Sequence, residues 1–206
     1  MDTVAYLGLL TILGIGVMTP GPNAITCFAH SGLYGPKSNI KLIAGMVIGF
    51  ITIELSVGLL VDALKENDSA MIALHWVGMA FLAGMIVAMF RMDLSSITTE
   101  GFEGALGLKT GIFMQFINGK EWAFVIIMMN QFTEPLGGGL TGIFIIIATT
   151  LTVCLVAMIA WTFAGARLNN MFTDPVKGPR VFNVCGSMLT LLFIFFIIKG
   201  PATVGA

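Results

Sequence analysis

Residues 18–27 read MTPGPNAITC, and they fall inside what is otherwise a single apolar segment over about residues 4–34. Proline removes a backbone donor and its ring clashes with the preceding turn, while glycine loosens the chain. Pro20-Gly21-Pro22 is therefore the worst composition for a helix interior, and Asn23 directly behind it is a residue type favoured at helix starts. In hydrocarbon, each backbone group freed by such a break costs several kcal/mol unless protein or water satisfies it. A plain proline kink is the alternative, since prolines are common in membrane helices. Pro-Gly-Pro favours a true break that lines an enclosed, wet cavity.

That reading presupposes a membrane, and the composition supplies one. The chain has 206 residues, of which 57% are hydrophobic and 10% charged, with a mean hydropathy of +0.96. Soluble domains carry about 25% charged residues, so this chain could not cover its surface in water. A net charge of −1 argues against nucleic-acid binding, which needs a concentrated basic face. Cys27, Cys154 and Cys185 lie far apart in apolar stretches and suggest neither a disulfide framework nor a metal site.

A spanning helix needs roughly 20 apolar residues. Six candidates emerge, at about 4–34 (interrupted), 42–61, 71–90, 108–131, 141–165 and 181–198. The loops between them are short, so one all-α transmembrane transporter domain over residues 1–206 is expected, with the lipid bilayer as its surroundings. The amino-terminal segment has no Lys or Arg before Lys37 and outlasts a signal-peptide core, and is read as a retained first span. Lys37, Lys41, Arg91, Lys109, Arg167, Lys177 and Arg180 follow spans 1, 3 and 5, against Lys65 and Lys199 on the other side. Positive loops stay cytoplasmic, which puts both termini on the side away from the cytosol.

The fourth segment repeats the anomaly of the first. In GIFMQFINGKEWAFVIIMMN, Asn118-Gly119-Lys120-Glu121 interrupts the apolar run near its middle. Asn with Glu three residues later is a capping-box pattern, so a new half-helix should start at Gly119. The break opens the second set of three spans as Pro20–Pro22 opens the first. Three spans superpose on the next three only after inversion, so two inverted three-helix repeats with helices 1 and 4 broken are expected. Interrupted helices at matching positions point to a transporter binding site, and half-helix amino termini suit an anionic group such as a carboxylate.

Charges in the spans narrow the site. Glu54, Lys120 and Glu121 lie well inside, where each costs at least about 2.5–3.5 kcal/mol and should face the bundle interior. Lys120 is read as counter-charge to a substrate carboxylate, and Glu54 or Glu121 as a proton-coupling carboxylate. An internal ion pair, with Glu121 merely capping, is the structural alternative. Trp122, beside Lys120, is a candidate cavity wall, whereas Trp76 and Trp161 sit toward span ends where interfacial anchoring is the default. Gly45 and Gly49 make a small-xxx-small face, and glycine-rich faces of this kind leave a homodimer open. His30 and His75 lack metal-ligand partners at helical spacing and receive no chemistry.

The stretch MTPGPNAITCFAHSGLYGPKSNIKLIAGMVIGF resembles the LysE/RhtB family of amino-acid exporters at Pro20, Gly21, Pro22, Asn23, Ser31, Gly35, Gly45 and Gly49. GIFMQFINGKEWAF is similar to the family's fourth-helix segment, with Asn118 and Lys120 aligned on its Asn-Pro-Lys. GPRVFNVCGSML is similar to the approach to the sixth helix. Gly119 replaces the family proline, which puts the rigidity of that break in doubt. Members with a non-proline residue there occur among the cysteine and O-acetylserine exporters. The resemblance implies proton-driven efflux of small neutral or basic amino acids and derivatives. It implies no cofactor and no enzymatic activity. Glu54 matches no family motif, so its role rests on its depth alone.

Other classes fare worse. A membrane dithiol carrier would need a cysteine in each of the two equivalent helices, and the fourth span has none. A hydrolase would need a Ser/His or HExxH arrangement. A divalent-metal or lipid-carrier transporter of the same broad superfamily stays open, with Glu54 and Glu121 as its only carboxylates in the spans.

Overall fold

The computed structural model describes residues 2–91, 105–172 and 177–201, with backbone alone for residues 166–172, 177, 178 and 181. Its α-helices run α1 (Thr3–Met18), α2 (Pro22–Tyr34), α3 (Asn39–Leu64), α4 (Asp68–Arg91), α5 (Leu108–Ile117), α6 (Gly119–Phe132), α7 (Gly139–Phe172) and α8 (Lys177–Lys199), with a short 3₁₀ turn at Pro36–Ser38. No strand occurs among the described residues. By length and composition four stretches can cross a bilayer alone, Pro36–Leu64, Asp68–Arg91, Gly139–Gly165 and Phe182–Lys199. The bent pairs α1–α2 and α5–α6 pass the same test when each is taken as one span.

Local chemistry sets the ends of these helices. Asp2 caps α1 by accepting the amide hydrogens of Val4 at 2.8 Å and Ala5 at 3.3 Å. Its own amide donates to Pro135 O at 3.0 Å, which ties the amino terminus to the turn after α6. That turn reverses the chain through Gly137, Gly138 and Gly139, all at positive φ of 126°, 67° and 47°, a region closed to most side chains. Lys65 bridges it to the turn after α3, at 3.1 Å from Asp62 and 3.5 Å from Glu134, an exposed arrangement of small energetic weight.

Close helix packing follows small residues, because lipid tails offer no hydrophobic drive for helices to associate and backbone approach must supply it. A Cβ on Gly45 would collide with the Leu108 carbonyl, and one on Gly49 would lie 2.8 Å from Gln115 Cγ. Gly111 answers from α5 by sitting against the backbone of Leu42 and Met46. The Gly45–Gly49 face is thus occupied by α5 within the chain and gives no surface for a homodimer. Gly165 of α7 likewise rests on the carbonyl of Phe28 in α2.

The second half of the broken fourth segment lies deepest. Every residue of α6 from Ala123 to Phe132 is buried, because α1, α3, α4 and α7 all pack against it. The run from Ala123 to Met129 is apolar on all sides and belongs in a core, and Asn130 and Gln131 beyond it donate to Met71 O and Gly200 O. The outer faces of the bundle are apolar too, with Val4, Leu7, Phe144, Val156 and Ile198 exposed, as a hydrocarbon solvent requires.

Candidate functional site

Both expected breaks are present. The axes of α1 and α2 meet at 43° across Thr19-Pro20-Gly21, and those of α5 and α6 at 65° across Asn118. Gly21 precedes α2 in extended backbone, and Pro22 occupies the first helical position, where its missing N–H costs nothing. Asn118 is extended and caps α6, its side chain accepting the Glu121 amide at 3.4 Å. The reciprocal half of the capping box is replaced: the Asn118 amide donates to Gln115 O at 3.2 Å instead of to the Glu121 side chain. With glycine at position 119, Asn118 is the residue that caps the break.

Breaking α1 frees carbonyls at its carboxyl end, and side chains from other helices take them up. Lys120 donates to Gly16 O at 2.5 Å, to Thr19 Oγ1 at 2.8 Å and to Thr19 O. Trp161 Nε1 donates to Val17 O at 3.3 Å. Across the second break, Trp122 Nε1 donates to Phe116 O at 3.0 Å. The Lys120 ammonium thus sits at the negative end of the α1 dipole, satisfied by oxygens and in no ion pair among the described residues. Its stem lies across Gly21, where a Cβ would come within 2.6 Å of Lys120 Cδ. Only glycine admits that crossing.

A cavity of about 90 Å³ opens between the two breaks. A single water needs about 10–15 Å³ by the same measure, so there is room for several waters or a small polar-headed solute. Gly21, Asn23, Gln115, Asn118, Lys120 and Glu121 form its polar side. Met46, Phe50, Phe124, Met158, Cys154 and Trp161 form much of the rest. The helix starts leave the amide hydrogens of Asn23, Ala24, Gly119 and Lys120 outside the helical ladder; the first helical bond of α2 is Ile25 N–H to Gly21 O at 2.9 Å.

Four of the expected binding residues, Gly21, Asn23, Asn118 and Lys120, line this cavity, as does Glu121. Pro20, Pro22 and Gly119 shape the breaks without lining it. Trp122 does not line it either, because its indole turns back over the break to cap Phe116. Trp161, expected as an interfacial anchor, belongs to the wall instead and packs edge-on against Phe28 at 6.4 Å. Gln115 was not singled out from sequence, yet it is buried and shares a reciprocal amide pair with Asn23, at 2.9 Å and 3.0 Å. Its only sequence signal is an amide placed three residues before Asn118.

Glu54 lies outside the cavity wall, fully buried on α3. Its Oε2 is 2.8 Å from Thr150 Oγ1 of α7, and its Oε1 has no partner among the described residues. Thr150 Oγ1 is also 2.8 Å from Ile146 O, and a hydroxyl has one hydrogen to give. Among the described residues no group of three His, Cys, Asp or Glu side chains could hold a metal ion.

A polar chamber between two broken helices in an apolar bundle is the arrangement of a membrane transporter. The family described as LysE type translocator matches residues 14–200, and the chain belongs to it. It is 24% identical over 193 residues to an uncharacterized membrane protein of Vibrio cholerae, covering 91% of this chain and 94% of the other. It is 26% identical over 179 residues to a cysteine/O-acetylserine efflux protein of Klebsiella pneumoniae, covering 84% and 87%. A protein of the same description from Escherichia coli is 22% identical over 187 residues, covering 90% and 91%. No solved structure matches the chain. It is a translocator, not an enzyme, with multi-pass helices suited to a bacterial inner membrane.

The amide pair across the cavity gives a direct check. Asn23→Ala and Gln115→Ala should each destabilise the protein by about 1–3 kcal/mol, since each leaves a partly or fully buried amide unpaired. The double variant should cost clearly less than the sum. Thermal unfolding in detergent measures all three, and strict additivity would mean that the pair is not formed.

Proposed function

We propose that the chain is a secondary active exporter of small neutral amino acids or amino-acid derivatives, moving them from cytosol to periplasm with proton coupling. In this reading the chain is one transporter domain of six spans in two inverted repeats, with both termini periplasmic. The observation that carries it is the Lys120 ammonium held between two broken helices, beside two helix amino termini and a second charged residue, Glu121. A zwitterion presents one carboxylate and one ammonium about one Cα apart. Lys120 and the free amides of Asn23, Ala24, Gly119 and Lys120 suit the carboxylate, and Glu121 suits the ammonium. The remaining wall is apolar and rich in sulfur, with Met46, Cys154 and Met158, so it favours a short uncharged side chain. The relatives named as cysteine/O-acetylserine efflux proteins agree with that choice.

Glu54 supplies the coupling site. An ionised carboxylate buried without a counter-charge is expensive, whereas a carboxylic acid can donate to Thr150 and rest. Loss of that proton, with Glu121 one helix away, would link the substrate site to the proton gradient. Pro20, Pro22 and Gly119 act by shaping the breaks, and Trp122 by holding the second one.

Counterflow in proteoliposomes tests the binding half. Vesicles loaded with unlabelled cysteine or O-acetylserine should take up the labelled compound, and Lys120→Met should reduce uptake at least about a hundredfold, as loss of a charge-assisted contact of roughly 3 kcal/mol implies. The variant should still elute as folded protein, and wild-type uptake by it would remove Lys120 from the site. Glu54→Gln tests coupling: exchange should persist while an imposed pH gradient no longer drives accumulation. Continued pH-driven accumulation would exclude Glu54 as the proton carrier.

A further inference from the structure

Beyond the cavity, toward the loops that follow α2 and precede α5, lies a buried polar cluster with no part in substrate contact. His30 and Ser31 of α2, Asn39 of α3 and Thr162 of α7 are each 4% exposed or less. His30 Nε2 accepts the backbone amide of Leu106, in the segment leading into α5, at 2.8 Å. A nitrogen that accepts carries no hydrogen, so the neutral ring holds its hydrogen on Nδ1 and donates to Asn39 Oδ1 at 2.6 Å. Asn39 then uses both hydrogens of its amide, on Cys27 O at 2.7 Å and Thr162 Oγ1 at 2.8 Å. Thr162 Oγ1 accepts that bond and donates to Met158 O at 2.8 Å. Ser31 Oγ closes the cluster by donating to Thr162 O at 2.6 Å.

The placement is particular. Thr162 directly follows Trp161 of the cavity wall, Cys27 lies one turn past Ala24 of that wall, and Asn39 lies two turns before Met46. One knot of hydrogen bonds therefore joins α2, α3, α7 and the lead-in to α5 on a single side of the cavity. On the other side a crevice of about 600 Å³ among α1, α6 and α8 includes Gly8, Gln131 and Leu191, and Gln131 Nε2 donates to Gly200 O at 2.9 Å there.

We propose that this knot is the closed gate on the side of the positively charged loops, and that His30 and Asn39 are its positioning residues. The inference rests on the exporter reading, in which that side is the cytosol. Substrate enters the cavity from there only when the knot parts. Polar groups suit such a seal better than apolar packing does. Closed, every donor named has a partner, so no desolvation penalty remains. Parted, each group can turn to water, whereas an apolar seal would have to expose hydrocarbon. Asn39 joins three partners on two other helices, so its loss unties the knot at its centre.

Native Cys27 reports the gate. Its thiol is buried beside Met46 Sδ at 3.9 Å, and its carbonyl accepts from Asn39. In a chain carrying Cys154→Ala and Cys185→Ala, labelling of Cys27 by a membrane-impermeant maleimide is followed in inside-out and right-side-out vesicles. Asn39→Ala should accelerate labelling about tenfold, the effect of losing a buried hydrogen-bond partner, in inside-out vesicles only. Thr162→Val, which keeps the volume and removes the hydroxyl that accepts from Asn39, together with its bond to Met158 O, should give a smaller rise on the same side if Asn39→Ala fails to fold. Unchanged labelling, or an equal rise from both sides, would overturn the gate. Labelling needs no substrate, so a failed gate with intact counterflow leaves the exporter reading standing. A one-sided rise without counterflow does the reverse.

Discussion

A backbone carbonyl freed inside a membrane has no water to turn to, and this structure is organised around that constraint. Breaking α1 at Thr19 and α5 at Asn118 strands hydrogen-bonding groups at mid-bundle. Lys120 takes up Gly16 and Thr19, Trp161 takes up Val17, and Trp122 takes up Phe116. Each break is repaired by a residue from beyond it. Lys120, which starts α6, caps α1. Trp161, far along α7, does so too. The cavity exists because these repairs hold the half-helices apart without leaving their polar ends bare.

Lys120 consequently has two claims on its charge. In the present state its ammonium hydrogens are directed at carbonyl and hydroxyl oxygens of α1, all of them neutral groups. A carboxylate entering the cavity offers a full negative charge in a medium of low dielectric, a stronger partner than a carbonyl. Competition for one cation would then connect occupancy of the site to the grip on α1. Gly21 makes the competition geometrically feasible, because the lysine stem reaches α1 only over a residue without a side chain.

Much of this was legible in the sequence, and for identifiable reasons. Pro20-Gly21-Pro22 announces its break through a missing backbone donor that no tertiary context can restore, Asn118 announces the other through its capping side chain, and both occur where expected. Helix bounds followed hydropathy within about four residues, except that α7 runs seven residues past the expected end of the fifth span, to Phe172. Gly45 and Gly49 announced close packing, although not that α5 would be the partner. What stayed hidden was side-chain direction. Trp122 caps a break instead of lining the cavity, and Trp161 lines the cavity instead of anchoring at an interface, since nothing in the sequence says where an indole points. Gln115 and His30 gained partners 92 and 76 residues away, and such pairings depend on how helices assemble rather than on local pattern.

Amide hydrogen exchange of the detergent-solubilised protein tests the central claim most directly. If a small zwitterion binds between the two breaks, adding cysteine or O-acetylserine should slow exchange at Asn23, Ala24, Gly119 and Lys120 together. Amides in the middle of α4 and α8 should be unaffected. Protection at neither break, or at one alone, would contradict a shared pocket built from both.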